Sequence, residues 1–160
     1  MKRLLFLALA LLLTPALAGC DSGSDDDNGG NSGGDNSGGI SATVDGAAFS
    51  PDSVNPTFDG GVLQVTGIRG TADQLTIAVP NASQGTFNIS QTSQVMIMYR
   101  EGTTAYQANG VTALGGASGT VTISSLSESG ASGTFSGTLL DAATGGGTIT
   151  VTDGSFDVTF

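Results

Sequence analysis

From Ile40 to Phe160 the chain alternates apolar and polar residues with a period of two, in short runs that each end on a turn residue. No stretch carries a 3.6-residue apolar period over ten or more positions, so helices have nothing to build on. Runs patterned this way bury one face only by pairing into sheets, which makes the fold class all-β. About eight to ten such strands in roughly 120 residues fit an antiparallel sandwich or a partly closed barrel, rich in meanders.

The runs can be followed in order. Ala42–Val44 and Ala47–Phe49 flank Asp45-Gly46, the dipeptide of a type I′ hairpin. A loop carrying Pro51 and Pro56 follows, then the alternations Leu63/Val65 and Leu75/Ile77/Val79, the latter ended by Pro80-Asn81. Phe87 and Ile89 make a short strand and Val95, Ile97 and Tyr99 a longer one, which Glu101-Gly102 turns back through Tyr106 to Asn109-Gly110. Gly119-Thr120, Gly133-Thr134 and Gly147-Thr148 each open a strand 14 residues after the last, with Val121, Ile123, Phe135, Leu139, Ile149 and Val151 facing inward. Asp153-Gly154 then reads as a tight hairpin to a closing strand that points Phe156, Val158 and Phe160 into the core. Met96 and Met98 interleave with Val95 and Ile97, so this strand is apolar on both faces. That pattern predicts a central strand covered on both sides; a greasy pocket lining is the other reading.

The first residues belong to a different kind of segment. Met1-Lys2-Arg3 is cationic, Leu4–Leu13 is an unbroken apolar run, and Thr14-Pro15-Ala16 breaks it, the layout of a secretory signal. The run is about ten residues where a membrane span needs roughly 20, so it directs export without anchoring. Leu17-Ala18-Gly19-Cys20 resembles the lipobox of bacterial lipoproteins. The resemblance implies removal of residues 1–19, a diacylglycerol on the Cys20 thiol and acylation of the new amine. Cys20 is the only cysteine, so no disulfide is available, and the covalent lipid is the one attached group expected: no cofactor and no metal. Several acyl chains give stable membrane attachment.

Residues 21–39 are Gly, Ser, Asp and Asn throughout. With nothing apolar to bury, the composition predicts a disordered tether over 20–39 and a single domain over 40–160. Asp25-Asp26-Asp27 does not make an EF-hand, since positions 5 and 12 of such a loop would fall on Gly29 and Asn36. The same acidic cluster resembles the signal that sends lipoproteins of Bacteroidota type to the outer cell surface, here without the usual neighbouring Lys. It points to an outer-membrane lipoprotein at the cell surface, with a periplasm-facing one as the alternative.

Loss of Lys2 and Arg3 with the signal leaves two bases, Arg69 and Arg100, against fourteen acids, a net of −12. Such a surface repels nucleic acids and anionic headgroups, so the expected membrane contact is the lipid and no nucleic acid partner is expected. Histidine is absent, and no lysine follows the signal, which removes Ser-His-Asp, Cys-His, Ser-Lys and Schiff-base chemistry. Only carboxylates remain. Glu101, Glu128 and the scattered aspartates could supply a glycosidase pair, but most acids sit in turn dipeptides. Arg69 and Arg100 read as ion-paired residues on solvent faces. Asp52-Ser53-Val54 resembles a Bacteroidota-type O-glycosylation site.

A second resemblance spans nearly the whole domain. Ala42–Gly46, Leu75–Asn81 with Gly85-Thr86-Phe87, Gly119–Leu126 with Ser132–Phe135, and Asp153–Phe156 resemble the strand signatures of a family of bacterial lipoproteins classed as a domain of unknown function. Phe49 stands about where that family carries a Trp. The resemblance brings no catalytic residue. Taken together, the chain reads as a non-enzymatic, lipid-anchored extracytoplasmic binding or structural module, or alternatively as a barrel-like carrier of a small apolar ligand.

Overall fold

The computed structural model describes residues 38–160. The signal peptide, the Leu17-Ala18-Gly19-Cys20 motif, lipidation at Cys20 and the Asp25–Asp27 cluster lie outside these residues. Strands dominate, as the period-two pattern requires. β1 (Gly39–Val44) and β2 (Ala47–Phe49) form the first hairpin. Its turn has Asp45 at φ 49° and Gly46 at φ 84°, the two positive values a type I′ turn needs. β3 (Ser53–Asp59), β4 (Val62–Arg69), β5 (Asp73–Val79), β6 (Gly85–Asn88), β7 (Met96–Glu101) and β8 (Thr104–Ala108) follow. One 3-10 turn at Thr112–Gly115 leads into β9 (Ser118–Ser127), β10 (Gly130–Asp141) and β11 (Thr148–Thr159).

All pairings are antiparallel and form one curled sheet, a half-barrel, in the order β2-β1-β11-β10-β8-β7-β5-β4-β3. β10 is the branch point. β11 holds one of its edges along Gly130–Leu140, while β9 takes the other edge over Gly130–Thr138 and β8 takes it at Leu140–Asp141. β6 extends the β9 wing. The two wings face each other across the core: Leu63, Val65, Leu75, Ile77, Ile97, Val121 and Leu139 are all 0% exposed. Ile97 enters between Gly119 and Gly137, where a Cβ would stand 3.1 and 3.5 Å from its Cδ1. The seam between β1 and β4 closes over Gly67, whose missing Cβ would lie 2.6 Å from Ile40 Cγ2. The Asp52 N–H donates to the Ile68 carbonyl at 2.8 Å, and the Asp52 carboxylate accepts the Gly70 N–H at 2.7 Å, which extends the β3–β4 ladder past the start of β3.

Several expectations change. Asp153-Gly154 is not a hairpin: β11 runs through it, and Asp153 at φ 52° is the extra residue of a β-bulge. Two β11 residues oppose Ala42 on one side and Ser136 on the other, which shifts both registers at this point. Gly133-Thr134 does not open a strand but lies inside β10. Pro56 is in β3 and not in a loop; β3 is the last strand on its side of the sheet, where a missing N–H can face outward. Phe160 extends beyond β11, is 41% exposed and stacks on Phe58 with ring centroids 5.7 Å apart. Ile149 is half-buried. Met96 and Met98 are also half-buried and lie on the face opposite Ile97 and Tyr99, so β7 is central in the sheet but not fully covered on its second side. Next to them on that face, Thr66 and Thr76 are buried and joined hydroxyl to hydroxyl at 3.1 Å, which satisfies both.

Candidate binding pocket at the end of the half-barrel

Antiparallel pairing sorts the strand termini into two ends. At one end Gly39 opposes Asp157, Gly130 opposes Thr159, and the β9–β10 turn carries Glu128. At the other end lie the Asp45-Gly46 turn, the end of β4 at Arg69, the end of β7 at Glu101, the start of β8 and the start of β11. A pocket of about 270 Å³ opens there. Val44 and Phe49, both buried, and half-buried Ile149 supply its apolar wall. Asp45, Arg69, Tyr99, Glu101 and Tyr106 supply the polar one.

Each polar residue is placed by its strand. Tyr99 and Tyr106 are cross-strand partners on β7 and β8 and so share a face. Tyr99 is buried and meets Phe49 edge to face at 5.9 Å. Arg69 and Asp73 oppose each other across the β4–β5 hairpin, with Arg69 Nη2 donating to Asp73 Oδ2 at 3.0 Å. Arg69 Nη1 donates to the Ala48 carbonyl at 3.1 Å, Nη2 also approaches the Tyr99 hydroxyl at 3.5 Å, and the guanidinium lies 5.0 Å from the Phe49 ring centroid. Asp73 Oδ1 accepts the Gly102 N–H at 3.4 Å. Arg69 and Asp73 are therefore occupied in holding the pocket together. Glu101 and Asp45 are exposed, and no hydrogen bond reaches either carboxylate from the described residues. The Tyr99 hydroxyl has its pKa raised, first by burial and then by the negative charges of Glu101 and Asp73, with Arg69 pulling the other way.

The residues singled out from sequence fare unevenly. Arg69 is ion-paired as read, but half-buried at the pocket and not on a solvent face. Arg100 is exposed, donates to the Gly102 carbonyl at 2.9 Å and makes no ion pair among the described residues. Glu101 and Glu128 stand at opposite ends of the half-barrel, so they form no carboxylate pair; the acid that the β5–β7 register brings beside Glu101 is Asp73, one step beyond the Gln74–Arg100 pair, and Asp45 borders the same pocket. Ser53 is exposed at the start of the edge strand β3, with the carboxylate of Asp52 engaged by Gly70. No group of three His, Cys, Asp or Glu among the described residues could hold a metal. The sequence marks Tyr99 and Tyr106 only as strand residues and Asp45 only as a turn residue, because their proximity depends on long-range pairing. The outer face of the β9–β10–β11 wing carries two broader depressions, of about 390 and 510 Å³, lined mainly by Ser and Thr hydroxyls.

No curated protein and no solved structure matches the chain. Residues 36–158 match one family, described as Domain of unknown function (DUF6252). That span takes in all of β1 to β10 and nearly all of β11, so every residue of the pocket lies within it, and the chain belongs to the DUF6252 family.

Proposed function

We propose that this chain is a lipid-anchored, non-enzymatic β module at the bacterial outer membrane, exposed at the cell surface, which binds a soluble ligand in the pocket at the end of its half-barrel. The observation that carries the binding reading is placement. The pocket lies at the opposite end from Gly39, the point where β1 begins and toward which residues 20–39 would lead from an anchored Cys20. Attachment at one end leaves the other open to ligand. The filled interior favours this reading over a carrier of an apolar ligand, since the inward side chains of β4, β5, β7, β9 and β10 are fully buried against one another and the two methionines face away from them.

Labelling cells with a fatty-acid analogue tests the anchor. The full-length chain is expected to incorporate the label and to sediment with membranes, and Cys20→Ser is expected to lose both properties. Label on the Cys20→Ser chain, or its retention in the membrane fraction, would contradict the proposal.

A further inference from the structure

Resting on the reading of this pocket as a binding site, we infer that its ligand is a small organic cation, a primary or quaternary ammonium compound. Three observations converge. The charged side chains that line the pocket or brace its lining are Asp45, Glu101 and Asp73 against Arg69, while Arg100, exposed at the same end, alternates to the opposite face of β7 from Tyr99 and stays outside the lining. An anion finds no free guanidinium in the lining and only the neutral tyrosine hydroxyls as donors, because Arg69 is spent on Asp73, the Ala48 carbonyl and the Phe49 ring, and Asp73 is spent on Arg69 and Gly102. The two carboxylates that remain, Asp45 and Glu101, accept no hydrogen bond from the described residues and border the same space as Tyr106.

Tyr106 adds the specific element. It is half-buried beside buried Tyr99, and no cation occupies its ring among the described residues, whereas Arg69 already covers Phe49. An aromatic ring that borders the same pocket as two free carboxylates can receive an ammonium group, which gains cation–π attraction and charge neutralisation together. The apolar wall of Val44 and Ile149 would take the carbon skeleton. At about 270 Å³ the pocket sits just below the usual range for drug-sized ligands, which restricts the occupant to a small molecule.

Titration of the mature chain with choline, its uncharged isostere dimethylbutanol and acetate, followed through the ring signals of the two tyrosines, tests the assignment. Choline is expected to saturate and to bind about tenfold more tightly than the isostere, with no saturation by acetate. Glu101→Gln is expected to weaken choline by about threefold or more and Tyr106→Ala by about fivefold, while Tyr106→Phe, which keeps the ring, binds like the parent. Equal affinity for choline and the isostere, or preference for acetate, would overturn the cation assignment and leave the pocket as a binding site. Absence of any ring-signal change with all three probes would overturn the assignment and the pocket reading together.

Discussion

Gly154 occupies the position where the β11 bulge meets the ring of Phe135. A Cβ there would lie 2.6 Å from the ring carbons of Phe135 and closer still to its carbonyl oxygen. Both Phe135 and Gly154 are buried, leaving the chain little room to relax. Gly154→Ala is therefore expected to destabilise the fold by about 1–3 kcal/mol, the usual cost of overpacking a filled core, measured by urea unfolding; a change within experimental error would contradict the packing described. Tyr99 provides a second test at this scale. Its raised pKa comes first from burial and then from Glu101 and Asp73, so the folded state favours the neutral phenol. The associated stability is present below the ordinary tyrosine pKa and is lost as pH rises through the higher folded value. The chain has two tyrosines, so a Tyr106→Phe background isolates Tyr99 in a phenolate absorbance titration. Adding Glu101→Gln is expected to lower the Tyr99 pKa, and an unchanged curve would show that Glu101 does not face the hydroxyl.

At the scale of elements, one dipeptide takes two forms. Asp45-Gly46 is a turn because β2 has only β1 to pair with. Asp153-Gly154 becomes a bulge because β11 is held by β1 on one side and β10 on the other, so a reversal would break two ladders. The local signal is the same in both places, and only neighbours distant in sequence decide between them. That is why the alternation of Leu63/Val65, Leu75/Ile77 and Val121/Ile123 was readable as buried strand faces, while the bulge, the placement of Pro56 in an edge strand and the exposure of Phe160 were not. The pocket shows the same division: Arg69 and Glu101 stood out as charges, but nothing local joins them to Asp45 or Tyr106. The loop from β10 to β11 makes a local test possible. The Asp141 carboxylate accepts the N–H groups of Ala143 at 2.8 Å and Thr144 at 3.2 Å, and these bonds lower its pKa. A depressed carboxylate pKa contributes stability above its unfolded value that is lost as pH falls through the folded one. Asp141→Ala is expected to lower the melting temperature slightly at neutral pH, with the difference closing in acid; a difference that does not change with pH would contradict this.

At the scale of the whole molecule, the distribution of charge and the two ends of the half-barrel support one account. With the proposed loss of residues 1–19 the chain would be lysine-free with a net of −12 and would have no electrostatic affinity for anionic headgroups, so membrane association would depend on Cys20. Gly39, where β1 begins, and the pocket stand at opposite ends of the half-barrel, which fits the proposal of a module held at a boundary while sampling what lies beyond it. The proposed surface location is the central claim. Its most direct measurement is protease treatment of intact and of lysed cells, followed by blotting for the 40–160 domain. The account predicts that protease removes the domain from intact cells, by cleavage within 20–39 or within the domain itself; retention of the domain on intact cells until lysis would contradict surface exposure and place the pocket on the periplasmic side.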